Sequence, residues 1–120
     1  MSKIPYLIAK EDWNALAELK AVDPLIKVLD DLIENDQLWE ADSGEIFGAL
    51  GKIGDTKAMN FLIECLQNKA ETVRLAATKA LGKTGNMSAV EPLIKALEDE
   101  DKSVRRAATY ALDELGWDPN

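Results

Sequence analysis

The amino-acid sequence predicts an all-α chain, folded as a short right-handed α-solenoid of stacked antiparallel helix pairs behind an N-terminal helical cap. Three observations predict it. The 120 residues are 47% hydrophobic but only 6% aromatic, and alanine and leucine supply much of the apolar share, a mixture that suits packed helices better than sheets. Shifting the chain by 31 residues lays Ala58–Ser88 on Ala89–Pro119 with apolar residues, glycine and one arginine in register. Each unit then closes on a glycine, Gly54, Gly85 or Gly116, the residue that most easily takes the left-handed position after a helix. A helix pair cannot bury its own apolar stripe, so such units must stack.

The elements follow in order. Ile4–Lys10 and Asp12–Lys20 read as one or two short helices, with Asp12 as N-cap and Trp13, Leu16 and Leu19 on one face. Residues 1–20 are therefore expected to cap the stack, and 21–55, 56–86 and 87–117 to form three repeats of one domain. In the third repeat, Val90, Leu93, Ile94 and Leu97 make the stripe of the first helix, with Pro92 in its first turn. Val104, Ala107, Ala108, Ala111, Leu112 and Leu115 make the stripe of the second. Asp101 or Ser103 is placed to cap that second helix. The first repeat is less regular. Ala21-Val-Asp-Pro-Leu-Ile26 parallels Ala89–Ile94, and Ala49–Gly54 parallels Ala80–Gly85, but six extra residues fall between Asp30 and Asp42. At the other end Asp113-Glu114 stands where the earlier units have Gly-Lys, a polar substitution suited to an end cap.

Charge and composition narrow the function. Fourteen Lys and Arg against 22 Asp and Glu give a net charge of −8, which disfavours nucleic acid and anionic membrane as partners. No histidine is present, which removes His-based triads, acid–base work and metal ligation. Cys65 is the single cysteine, so no intrachain disulfide forms, and a lone thiol fits a reducing, cytoplasmic setting. It matches Val28 and Ala96 in the repeat and reads as a small core residue. No stretch reaches the ~20 apolar residues of a membrane span, and the first ten residues are too short for a signal-peptide core. Gly82-Lys83-Thr84 imitates the end of a phosphate loop, but Ala77 stands where the motif needs glycine and the triplet closes a helix. The acidic run Glu98–Asp101 lacks the glycine and distal glutamate of a calcium loop. Neither a metal nor any other cofactor is expected.

The second helices carry the candidate site. Off the core stripe, residues recur every four positions: Gly44, Gly48 and Lys52, then Leu75, Lys79 and Lys83, then Arg106, Tyr110 and Glu114. Stacked, these columns form a basic surface that contains Leu75 and Tyr110. Such a surface suits a protein or peptide with acidic and apolar side chains; the same pattern also describes an ordinary solvated helix face. Gly44 and Gly48 allow close approach to the backbone, or else mark a weak helix. Leu38 and Trp39, in the insertion among Glu34, Asp36, Glu40 and Asp42, form a second candidate. They are either an interface anchor or a cover folded over the first repeat. A self-complementary stack end offers a route to a homodimer.

Ala89–Gly116 strongly resembles a HEAT-like repeat of the phycobilisome-lyase type; Ala58–Gly85 matches well and Ala21–Gly54 loosely. The resemblance covers about three-quarters of the chain. It implies a non-catalytic binding scaffold whose second helices line a concave face. It also implies an Asp-to-Arg ladder between repeats, with Asp99 beside Arg105, Asn68 beside Arg74, and Ser43 where the first repeat lacks the arginine. An alternative implied by the same resemblance is an accessory subunit of a bilin lyase-like, pigment-handling complex, although no catalytic acid or nucleophile stands out. Iron-binding hydroxylases with this repeat need histidines that are missing here.

Overall fold

Hydrogen-bonded caps mark where the helices start. A computed structural model of the chain describes residues 2–38 and 43–119. In them the helices are α1 (Ile4–Ala9), α2 (Trp13–Glu18), α3 (Val22–Glu34), α4 (Ser43–Ile53), α5 (Thr56–Cys65), α6 (Glu71–Lys83), α7 (Val90–Ala96) and α8 (Lys102–Glu114). Asp12, Asp55 and Asp101 begin α2, α5 and α8, their Oδ1 atoms accepting from the N–H groups of Ala15 (3.1 Å), Ala58 (2.8 Å) and Ser103 (2.9 Å). Each satisfies an amide that the helix itself leaves open. Of the two expected caps for α8, Asp101 is the one used.

Helix ends are equally regular. Gly54, Gly85 and Gly116 have φ of 58°, 66° and 76°, the left-handed conformation expected of them. Lys20 takes the same conformation after α2, with φ of 55°. Its N–H donates to Ala17 O and that of Ala21 to Leu16 O, the pattern that Gly116 and Trp117 repeat after α8. The first two helices thus close as a short pair of the same kind. Leu19 departs from its expected place: it is 53% exposed, and Ala17 joins Trp13 and Leu16 in the core instead. On so short a helix the stripe drifts off the core by its last turn.

The helices form two layers. Each odd-numbered helix packs on the even-numbered one that follows, while α2, α4, α6 and α8 pack on one another in sequence. The result is a stack of antiparallel pairs, 51 × 27 × 17 Å. Between the layers lie fully buried Leu16, Leu25, Ile46, Phe47, Leu50, Leu62, Leu81 and Leu93. The six extra residues of the first repeat are in large part helix and not loop. α3 runs to Glu34, about six residues past the position matching the end of α7, and stops with Asp36 at φ 55°. Asp30, Leu32 and Ile33 keep the helical pattern going, and Leu32 and Ile33 pack against the core.

Inner helices approach closely at glycine. A Cβ on Gly51 of α4 would stand 2.6 Å from Ala80 O of α6, and one on Gly82 of α6 would stand 2.8 Å from both Ala111 Cα and Cβ of α8. The same contact is therefore made twice, 31 residues apart. At the next position α8 carries Asp113, exposed to solvent, in place of the glycine that would admit another helix.

Loop-side contacts repeat as well, but not in the pairing the resemblance implied. Arg74 is only 7% exposed. Its Nη1 donates to Asn68 O (2.8 Å) and Lys69 O (2.9 Å), and Arg105 Nη1 donates to the matching Asp99 O (2.8 Å) and Glu100 O (3.1 Å). The Asp99 carboxylate belongs to Arg74 of the preceding repeat, which donates to it through Nε (3.0 Å) and Nη2 (3.3 Å). The rung thus joins neighbouring repeats, and within its own loop each arginine grips carbonyls and not a carboxylate. Burial works against the Asp99 carboxylate, but the Asp101 N–H and the Arg74 guanidinium hold its pKa below the usual value. The hydrogen bonds from Arg74 to Asp99 in turn raise the arginine's pKa. Where the first repeat has Ser43 in place of arginine, the facing residue is neutral Asn68 and not aspartate. A notch of about 340 Å³ remains there, lined by Leu38, Ser43, Asn68 and Val73 among others.

Two predictions follow from these contacts. Gly82→Ala should destabilise the fold by about 1–3 kcal/mol, because backbone and not a flexible side chain must move, while Gly48→Ala, with nothing within 4 Å of its added Cβ, should stabilise it by about 0.5–1 kcal/mol; urea titration of both variants measures the contrast. Asp99→Asn should lower stability at pH 7 by about 1.5–3 kcal/mol. Because the folded pKa lies below the unfolded value of ~3.9, this contribution is full above that pH and disappears as pH falls through the folded value. Wild type and variant should therefore converge on acidification in denaturation series between neutral pH and pH 2.

Candidate functional site

The open face of the inner layer is shaped by the spacing of its helices. Side chains four apart on one helix stand above one another, and a furrow runs between each helix and the next. Two such furrows are deep enough to hold a ligand. The first, about 470 Å³, lies between α6 and α8 and is lined by Leu75, Lys79, Lys83, Ser103, Arg106, Ala107, Tyr110 and Glu114. The second, about 570 Å³, lies between α4 and α6 with Asn14 of α2 at its edge, and has Gly44, Glu45, Gly48, Lys52, Ala76, Lys79 and Lys83 on its walls. Lys79 and Lys83 form the ridge shared by both.

Leu75, Lys79, Lys83, Arg106 and Tyr110, chosen from their four-residue columns, are thus brought together in a single groove, and Lys52 lies across the shared ridge in the next. Leu75 is half-buried and Tyr110 is 75% exposed. Lys79, Lys83 and Arg106 have no ion-pair or hydrogen-bond partner among the described residues, whose ion pairs join Lys27 to Asp31, Lys57 to Asp23, and Arg74 to Asp99 and Glu100. Lys52 Nζ donates to the neutral Asn14 Oδ1 at 3.1 Å. Four cations therefore face two carboxylates, Glu45 and Glu114, across the two grooves, on a chain whose net charge is −8.

Asn14, Glu45 and Ser103 were missed by sequence reasoning. A furrow between two helices is lined by two columns from each, and only one column per helix had been assigned to the surface. The second column, Ala49, Ala76, Ala80 and Ala107, reads in sequence as part of the core stripe. Gly44 and Gly48 have neither a positive φ nor a neighbour that a Cβ would meet. Packing does not require glycine at either place, although each weakens a helix by roughly 1 kcal/mol relative to alanine. Their bare backbone forms part of the second groove's wall.

The other candidates fall elsewhere. Leu38 is half-buried and packed against the core, and Trp39 lies outside the described residues. Within the acidic run, Asp99 serves Arg74 and Asp101 caps α8. No group of three or more metal-ligating side chains is clustered among the described residues, and none of their helices is long and apolar enough to cross a membrane.

A family model described as HEAT repeats matches residues 22–113, from the start of α3 nearly to the end of α8. No curated protein is similar enough in sequence to count as a relative.

Cys65 takes no part in either groove. It is buried at the end of α5, and burial, with Asp30 and Glu64 nearby, pushes its thiol pKa up to about 12. The thiolate is the reactive species, so the native protein should leave a disulfide reagent such as Ellman's unreacted at pH 8, while the same protein in denaturant should react fully; rapid labelling of the native form would show the thiol to be accessible.

Proposed function

We propose that this chain, which belongs to the HEAT-repeat family, is a non-catalytic scaffold that holds a protein or peptide on the concave face of its inner helices. HEAT repeats generally mediate contacts between proteins, and the fold is generally a non-enzymatic one. The observation that carries the reading to this face is the convergence of Leu75, Lys79, Lys83, Arg106 and Tyr110 on one groove, with the cations unpaired among the described residues and the aromatic ring exposed. Interfaces favour tyrosine and arginine, here Tyr110 and Arg106, and the two lysines add charge that an acidic partner can complement. The scaffold acts by rigid display. Glycine contacts and the Arg74–Asp99 rung fix the helices, so little conformational freedom is lost when a partner docks.

A photo-cross-linking residue placed at Tyr110, and separately at Glu91 on exposed α7 of the outer layer, tests the face directly in lysate of the source organism. Partner adducts are expected from position 110 and not from position 91. Adducts from position 91 alone would place the binding surface on the other layer.

A further inference from the structure

The two grooves differ in chemistry and share a wall. Between α6 and α8, Leu75, Ala107 and Tyr110 present apolar surface. Of the exposed large hydrophobic residues, Tyr6, Leu19, Met87 and Tyr110, Tyr110 is the one that lines either groove. Between α4 and α6 the walls are Asn14, Lys52, the Lys79–Lys83 ridge and the bare backbone of Gly44 and Gly48. A ligand that spans both meets apolar surface first and unpaired ammonium groups next.

Resting on the concave-face reading, we propose that the partner segment is an extended acidic peptide. One large apolar side chain enters the α6–α8 groove beside Tyr110 and Leu75, and a carboxylate about three residues away reaches Lys79, Lys83 and Lys52 over the α4–α6 groove. Spacing sets the register. Packed helices lie about 8–10 Å apart, and an extended chain of polyproline II type rises about 3.1 Å per residue and brings every third side chain to the same face, so neighbouring grooves take side chains roughly three apart. Gly44 and Gly48 favour an extended partner over a helical one. With nothing within 4 Å of either missing Cβ, a main chain can settle on the wall there, and an extended segment has its main chain exposed whereas a helix sheathes it in side chains. Charge selects the acid. Lys79, Lys83 and Arg106 have no anionic partner among the described residues, and Lys52 has only a neutral one there, so a carboxylate gains charge-assisted hydrogen bonds without breaking any ion pair among them. Glu45 and Glu114 on the same walls, and the net charge of −8, oppose a polyphosphate chain, which carries a charge at every residue. A peptide can hold its carboxylates to the ridge and keep neutral side chains near Glu45 and Glu114.

Selection from a random twelve-residue peptide library on the full chain, beside its Lys79→Glu/Lys83→Glu variant checked by circular dichroism, tests this. Both lysines are exposed and unpaired, so the variant should fold. Wild type should enrich peptides with Asp or Glu about three residues from Leu, Phe or Trp, and the variant should enrich Lys or Arg in the acidic positions. In fluorescence anisotropy the wild-type consensus peptide should weaken about ten-fold or more when its anchor becomes alanine, and again when its acids become amides. Neutral or basic peptides on wild type, identical peptides on both proteins, no enrichment at all, or tighter binding of a twelve-nucleotide single-stranded DNA would each overturn the proposal. If cross-linking from position 110 captures a partner while any of these occurs, the ligand class is wrong and the concave-face reading stands. If position 91 alone captures the partner, the reading beneath falls too.

Discussion

The structure depends on how closely its inner helices approach. Gly51 against Ala80 and Gly82 against Ala111 bring α4 to α6 and α6 to α8 so close that a Cβ on either glycine would overlap the neighbouring helix. That distance decides the rest. It lets the outer helices drop their leucines between the layers, it brings Arg74 within reach of the next repeat's Asp99, and it sets the width of the furrows on the open face. A larger residue at either glycine would change all three together, because packed helices transmit a displacement instead of absorbing it.

Glycine serves opposite purposes on a single helix. At Gly51 the missing side chain is filled by a neighbour's backbone, and at Gly44 and Gly48 it is filled by nothing. The first use stabilises the stack and the second weakens α4, a helix that also holds one wall of a groove. Charge shows a similar division of labour. Arg74 spends its guanidinium on the loop carbonyls and Asp99, while Lys79 and Lys83 of the open face have no partner among the described residues and Lys52 has only the neutral Asn14.

Most of the architecture was legible from the 31-residue register, because a packing repeat preserves the apolar and glycine positions that build it. The helix caps and the left-handed glycines were legible for the same reason: each is a local rule about a few residues. The rung was not. Arg105 and Asp99 are close in sequence and suggested a pair, yet Arg105 is held by the Asp99 carbonyl and the carboxylate turns back to Arg74, a choice made by the stacking of one repeat on another. The added length of α3 was not legible either, because an insertion's length alone does not separate a loop from added helical turns, although Leu32 and Ile33 continue the stripe of α3. On the candidate face, columns of four recovered Leu75, Lys79, Lys83, Arg106 and Tyr110. They omitted Glu45, Asn14 and Ser103, since the alanines flanking a furrow look the same in sequence as alanines in a core.

Ser43 and Asn68 stand where the next junction has its buried Arg74–Asp99 rung, so the first and second repeats are joined by charge through the exposed Lys57–Asp23 pair, and the joint neutrality of Ser43 and Asn68 keeps a buried charge from being stranded there. In an array whose units are coupled only to their neighbours, cooperativity is as strong as the weakest coupling. With a buried bidentate bridge at one junction and a notch with an exposed ion pair at the other, α5 to α8 are joined by the stronger charge contact. The α4–α6 groove straddles the junction beside Ser43, whereas the α6–α8 groove lies inside the bridged half. One furrow is therefore braced by a buried bridge, and its neighbour is held by the Gly51–Ala80 contact and surface charge alone, two differently secured walls on the same surface.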